Sequence, residues 1–255
     1  MIVVGSGASG AVVAARLSED PANRVLLLEA GPVDDSPWIG VPLGFARVLA
    51  NPRYMWHFNS EPEKELDGRS FAMFRGKVLG GSSSVNGMIY LRGAPSDYDL
   101  WQQRGATGWS YDDVLPYFRM SENQSRGADA YHGCGGPLSV EDVRWRTPLS
   151  EAFIDAAESI GVKHCADFCG EDIEGVGYFQ TTTARGRRVS TARAYLKPAR
   201  RRPNLHIVTD AIVTHIEIRR PRGECCPLYH RRREVAPRRA CRNRAFGGRT
   251  WYADR

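Results

Sequence analysis

Apolar positions first gather at the N-terminus. Ile2 to Val4 is a short apolar run of strand type, followed by GSGASG. Ala8, Ala11, Val12 and Ala15 then fall at i, i+3, i+4 and i+7, the spacing of one helix face. Ser18 to Arg24 is polar and contains a proline, which ends that helix. Val25 to Leu28 is an unbroken apolar run, expected as a buried strand closed by Glu29, Ala30 and Gly31. Strand, helix and strand in this order predict a βαβ unit, hence an α/β fold.

Beyond it the pattern is less regular. Pro32 to Gly76 alternates aromatic and turn residues and reads mainly as loop with short elements, with Trp38, Tyr54, Trp56 and Phe58 as packing anchors. Gly76 to Arg92 is a second stretch rich in glycine and serine. Ser96 to Ser121 reads as helical in pieces, with Tyr98 and Trp101 on one face and Val114, Tyr117 and Phe118 on another. Gly135 to Asp142 reads as a turn and then a strand. Pro148 to Ile160 has the spacing of an amphipathic helix through Phe153, Ala156, Ala157 and Ile160. Leu205 to Val208 and Ala211 to Ile218 read as strands or as a hairpin across Thr209 and Asp210. No internal repeat and no apolar run of membrane-spanning length, roughly 18 residues, is present.

Composition changes this picture at one place. The chain has 255 residues and a formal charge of +6, but residues 219–255 hold 12 Arg, no Lys and three acids. Residues 1–218 keep 23 bases and 26 acids, a net of −3. The basic balance therefore belongs to the tail. Two readings of the tail stand side by side: a basic arm for nucleic acid, and a disordered or out-of-frame end whose dense Arg, Cys and Pro resemble translated GC-rich sequence. The second is preferred, and the acidic body argues against nucleic acid as a partner. The six cysteines form no paired CxxC framework, and MIVVGSGASG has no basic leader or long apolar core. The expected compartment is reducing and cytoplasmic, without a secretory signal.

The candidate chemistry lies in the first unit. Gly5, Gly7 and Gly10 form GxGxxG between a strand and a helix. The first glycine permits a tight turn, the second lets backbone approach a pyrophosphate, and the third lets helix pack on strand. The helix start offers unpaired N–H groups to phosphate. Glu29, at the tip of the next strand, is placed to accept from ribose hydroxyls and would repel a 2′-phosphate, which disfavours NADP. The spacing is equally compatible with NAD and FAD.

Longer motifs separate those two. RGKVLGGSSSVNGMIYLRGAPSDYDLW (Arg75 to Trp101) resembles the first signature of the glucose–methanol–choline (GMC) oxidoreductases. LLLEAGP, YHGCGGPLSV, GVGYFQ and RVSTARAYLKPARRRPNLHIVTDAIVTHI resemble the same family, in its choline-dehydrogenase-like branch, in order up to about Ile218. The resemblance implies an FAD enzyme that oxidises CH–OH groups to carbonyls by hydride transfer to the flavin. It implies a Rossmann-like FAD-binding domain over residues 1–134 and 184–218, part of a substrate-binding segment over residues 135–183, and a non-family tail over residues 219–255. Gly5, Ser6, Gly7, Ala8, Ser9, Gly10, Glu29 and Ala30 are then expected at the pyrophosphate and adenosine ribose. Val78, Gly80, Gly81 and Ser82 are expected near the ribityl chain. Asn86, Gly87, Met88 and Ile89 are expected at the isoalloxazine ring, and Val213 at the adenine. Turn and cap chemistry is the competing role for Ser82, Ser83 and Ser84.

Two departures from the family pattern qualify the function. Val85 stands where some relatives carry a flavin-linked histidine, so FAD is expected to be non-covalent. The family's far C-terminal histidine, the base for the hydroxyl proton, has no match among His57, His132, His164, His206, His215 and His230, so no catalytic residue is assigned. His164, Cys165 and Cys169 lack a fourth ligand at metal-site spacing, so no metal is expected. Asp97, Asp99, Asp112 and Asp113 read as caps or solvated charges. The expectation is a GMC-type oxidoreductase portion, truncated and inactive, whose relatives take a small alcohol and whose electron acceptor the sequence leaves open. The alternatives are a non-catalytic flavin-binding module and, last, a nucleic-acid binder.

Overall fold

In the computed structural model residues 1–216 are described, together with the backbone of residues 228–230 and 233–235. Expectations for the rest of the tail lie outside the described residues. The chain divides into two compact units, Met1–Val85 with Ser190–Arg255, and Asn86–Val189.

The first unit is built on a parallel sheet. β1 (Ile2–Val4) and the strand Leu205–Val208 both pair with β2 (Val25–Leu28), which lies between them. All four residues of β2 are buried, as an apolar run covered on both faces must be. β1 is the sheet's edge among the described residues, and it leaves Ile2 and Val4 exposed. α1 (Ala8–Leu17) joins β1 to β2 and buries Ala11, Ala14 and Ala15. The expected face was set one position away: Ala8 is exposed and Ala14 takes its place. Small residues on that face let the helix lie close to the sheet. The C-terminal end of α1 is satisfied from far along the chain. Arg202 donates to the Ala15 carbonyl and to Ser18 Oγ, and Asn204 Nδ2 donates to the carbonyls of Ser18 and Asn23.

Of the two readings of Leu205 to Ile218, strands form at Leu205–Val208 and Ala211–Val213, and the hairpin across Thr209 and Asp210 does not. Leu205–Val208 runs parallel to β2, and Asp210, at φ +56°, turns the chain out of the sheet. Ala211–Val213 pairs antiparallel with Leu228–His230, which pairs in turn with Arg233–Val235. A loop that reads as a tight turn in sequence is here an exit from one sheet and an entry to another.

Within Pro32 to Gly76 the structure has short helices and an antiparallel pair, Met55–Asn59 with Ala72–Gly76. A small core joins Ile39, Val48, Tyr54, Met55, Val78 and Val85. Of the four expected anchors only Tyr54 is buried; Trp38 and Phe58 are exposed, and Trp56 stacks on Phe58 under the Lys77 ammonium.

The second unit pairs Ile89–Tyr90 with Gln180–Thr181, and Glu122–Gln124 with Leu138–Val140. Its helices Pro95–Gln103 and Tyr111–Ser121 match the expected pieces, and Tyr98 meets Trp101 edge-on at 5.3 Å. Asp97 and Asp113 accept the Ala94 and Ser110 N–H groups as caps. Helix Pro148–Ser159 forms as expected but buries Ile154, while Phe153 and Ile160 of the expected face are exposed. A polar hub is buried in this unit. Glu122, Arg92 and His132 are buried together, with Arg92 Nη2 2.8 Å from Glu122 Oε2.

Candidate cofactor site

The three glycines of the first turn play three different parts. Gly5 sits at φ +84°, and its N–H donates to the Leu28 carbonyl at 2.8 Å, tying the turn to β2. A Cβ on Gly10 would lie 1.9 Å from the Gly5 carbonyl oxygen, so only glycine lets α1 approach this closely. A Cβ on Gly7 would meet no protein atom within 4 Å. Space therefore opens in front of Gly7, which is also the N-cap of α1. Gly7 has no side chain to cap the first-turn N–H groups, and that turn carries no acid. Ala8 and Ser9 are exposed there. Free backbone donors beside an open volume form a donor set suited to phosphate oxygens.

The second glycine stretch lies directly on the first. The Gly80 N–H donates to the Ser6 carbonyl at 3.0 Å, and a Cβ on Gly81 would stand 2.6 Å from Gly7 Cα. Gly80 and Gly81 both have positive φ, and Val78 is buried in the small core. The three serines are occupied by turn chemistry. Ser82 Oγ accepts from the Gly76 N–H, Ser84 Oγ donates to the Leu79 carbonyl, and Ser83 Oγ donates to the Gly80 carbonyl. Ser83 Oγ also accepts from the Thr191 N–H at 3.0 Å.

Glu29 is buried at the end of β2, with its carboxylate turned onto the glycine turn. Oε2 accepts from the Ser6 N–H at 2.8 Å and from Ser6 Oγ at 2.6 Å, and Oε1 accepts from the Gly31 N–H at 2.9 Å. Of roughly four acceptor positions on a carboxylate, three are filled by protein and one is left. Glu29 thus has a structural part that spacing does not reveal: it fixes the turn. Ala30 is half-buried beside it. The Glu29 carbonyl accepts from the Ala211 N–H, which anchors strand Ala211–Val213, and Val213 itself faces Leu228 in register.

Asn86, Gly87, Met88 and Ile89 belong to the second unit. Met88 is buried at φ +65°, and the other three are exposed. Val85, packed in the core of the first unit, presents no nucleophile. Two residues tied to these stretches were not picked out as site residues in the sequence: Thr191, which caps Ser83, and Arg188, which donates to Asn86 Oδ1 at 2.8 Å. Both sit in RVSTARAYL, which the sequence marks only as a motif.

His57 Nε2 lies 3.1 Å from the Leu49 carbonyl, His164 pairs with Glu158, and His206 stands in register with Leu26. His132 bridges Glu122 and Asp167. Among the described residues no group of three His, Cys, Asp or Glu side chains is placed to hold a metal.

The sequence model of the GMC oxidoreductases matches residues 1–240. The chain belongs to this family. GMC oxidoreductases are FAD flavoproteins, and the donor set at Gly7 fits the diphosphate of such a nucleotide. The match runs past Ile218 to residue 240. An oxygen-dependent choline dehydrogenase of Sinorhizobium fredii is 46% identical over 207 residues, which are 81% of this chain and 38% of that protein. That of Brucella anthropi is 45% identical over the same length. Pyridoxine 4-oxidase from Mesorbium loti superposes with a TM-score of 0.87 at 34% identity, over 92% of this chain and 46% of that one. An FAD-dependent oxidoreductase from Chaetomium thermophilum gives 0.82 at 30% identity, over 90% and 41%. This GMC chain spans about two fifths of the length of the curated relatives it matches.

Proposed function

We propose that this chain carries FAD-binding machinery of a GMC enzyme that oxidises a small-molecule alcohol. One observation carries the reading. Two glycine turns packed on each other leave an open, donor-lined volume at Gly7, beside a buried acid at the tip of β2. Gly5, Ser6, Gly7, Ala8, Ser9 and Gly10 are assigned to the diphosphate, and Glu29 and Ala30 to the adenosine ribose. Val213 is assigned to the adenine, and Val78, Gly80, Gly81 and Ser82 to the ribityl side. Asn86, Gly87, Met88 and Ile89 are assigned to the ring. Residues 1–134 and 184–218 form the FAD-binding domain in this reading, and residues 135–183 part of the substrate-binding one.

Bound FAD supplies a two-electron acceptor for hydride from a CH–OH carbon. The residues named here bind and orient; they do not move the hydroxyl proton. No histidine of this chain is assigned as that base, so we assign FAD binding without alcohol turnover to the 255 residues alone. The valine at position 85 supports non-covalent FAD. No helix among the described residues is long and apolar enough to cross a membrane, and the unpaired spacing of the cysteines supports a cytoplasmic location.

The test is gel filtration of the purified chain with excess FAD, followed by thermal melting and alcohol-dependent dye reduction. Retained flavin, a raised Tm and no dye reduction are expected. A chain with neither retained flavin nor a Tm shift refutes the cofactor assignment, and vigorous dye reduction refutes the inactivity.

A further inference from the structure

Met88 occupies the left-handed region at φ +65°, which a residue with a Cβ rarely adopts unless its surroundings hold it there. Its N–H donates to Asn86 Oδ1 at 3.1 Å. Its carbonyl accepts from the Thr182 N–H at 2.8 Å and from Thr182 Oγ1 at 3.3 Å. Asn86 Oδ1 also accepts from Arg188 Nη1 at 2.8 Å, a charge-assisted bond. Arg188 is 1% exposed. Burial pushes its pKa down to about 10, which still leaves the guanidinium charged at neutral pH. The turn above it is open: Asn86 and Gly87 are exposed, and a Cβ on Gly87 would meet nothing within 4 Å. A buried cation costs desolvation energy. Here it is directed at a side-chain oxygen that helps hold a strained, outward-facing backbone.

We infer that Arg188 is a positioning residue: through Asn86 it holds the left-handed backbone of Met88 in the form in which the turn Asn86–Ile89 meets the flavin ring. The inference rests on the FAD reading above. Arginine suits the task because its planar fork fixes the direction of each N–H, whereas a lysine ammonium keeps the charge and loses that geometry.

Residue-resolved amide exchange on the full chain, with and without FAD, tests this in Arg188→Lys, Asn86→Ala and the double variant. Loss of one hydrogen bond predicts about tenfold faster exchange at the Met88 amide in each single variant. Thr181, whose N–H donates to Glu141, is expected to exchange as in the wild type. Because Arg188 acts through Asn86, the double variant is expected to match Asn86→Ala. With FAD, the flavin bound by the variants is expected to change the shape of its visible absorption band. Unchanged Met88 exchange in both single variants overturns the inference, as does faster exchange with an unaltered flavin band. Should Arg188→Lys fail to fold, Asn86→Ala, at an exposed position, decides on the same two readouts. A wild-type chain that retains no flavin refutes the cofactor reading, and with it the flavin half of this inference. The exchange rates then decide the positioning half alone.

Discussion

Gly7 and Gly10 are three residues apart in one turn, yet substitution at each is expected to fail differently. A Cβ on Gly10 collides with backbone at Gly5, which cannot move without displacing β1 or α1. Gly10→Ala is therefore expected to lose about 2–4 kcal/mol of stability, the range of overpacked or strained sites, and to melt well below the wild type in thermal scans. Gly7 has ordinary φ (−62°), and its Cβ would enter empty space. Gly7→Ala is expected to keep the wild-type Tm within a degree or two, but to weaken FAD binding at least tenfold in equilibrium titration. Wild-type affinity in Gly7→Ala would mean that nothing occupies that volume. Glu29 makes a third case. Its two oxygens accept three donors from Ser6 and Gly31, so an amide in Glu29→Gln must point an N–H₂ at an N–H or a hydroxyl. The expected cost is about 1–3 kcal/mol in the protein without FAD, read by denaturant unfolding. An apo stability equal to wild type would remove the structural part assigned to Glu29. The GxGxxG spacing and the following acid reveal where these residues lie. They do not reveal that the acid's first partners are protein, because that depends on the bend of the turn toward β2.

At the scale of elements, the second unit depends on a histidine between two acids. His132 Nδ1 lies 3.0 Å from Glu122 Oε1, and Nε2 lies 2.8 Å from Asp167 Oδ2, so both ring nitrogens donate and the ring is an imidazolium. The hydrogen bonds to Asp167 and then Glu122 outweigh burial and raise its pKa from 6.5 to about 9. Asp167 is pushed up by burial, but the bonds from His132 and from the Cys169 N–H prevail and hold it below the usual carboxylate range. Gln124 Nε2, 3.2 Å from Nδ1, donates instead to Glu122 Oε1 and Gln180 Oε1, and Arg92 faces the shared Glu122. A raised histidine pKa gives stability that is whole below about pH 6.5 and lost as pH rises through about 9. A depressed aspartate pKa gives stability present above its ordinary value and lost as pH falls through the folded one. Maximal stability of this unit is thus expected between mildly acidic and neutral pH, with an alkaline loss of about 3 kcal/mol at most. Melting curves from pH 6 to pH 10 measure it, and His132→Gln is expected to start lower and flatten the alkaline fall. A wild-type Tm independent of pH over that range would refute the role. In sequence, YHGCGGP marks a turn and part of the family resemblance but not this role of the histidine, since the carboxylates come from positions 122 and 167, on separate elements.

For the molecule as a whole, the packing of Val85 into a core predicts that acid precipitation of FAD-loaded protein leaves the flavin in the supernatant. Flavin that stays with the precipitate would show a covalent link elsewhere. The sequence by itself determined the βαβ nucleus, the glycine turn and the family, because strand and helix periods and fixed motif spacings are local and survive without knowledge of distant partners. Only tertiary structure decided the rest. It inserted Leu205–Val208 parallel to β2 instead of folding it back as a hairpin, and laid Gly81 on Gly7 across more than seventy residues. It also turned Ile154 rather than Phe153 inward on helix Pro148–Ser159, and closed α1 with Arg202 and Asn204. Each of these joins groups far apart in the chain. Periodicity names a face or a strand, but which surface covers it is fixed by the packing of neighbours that the local pattern does not encode.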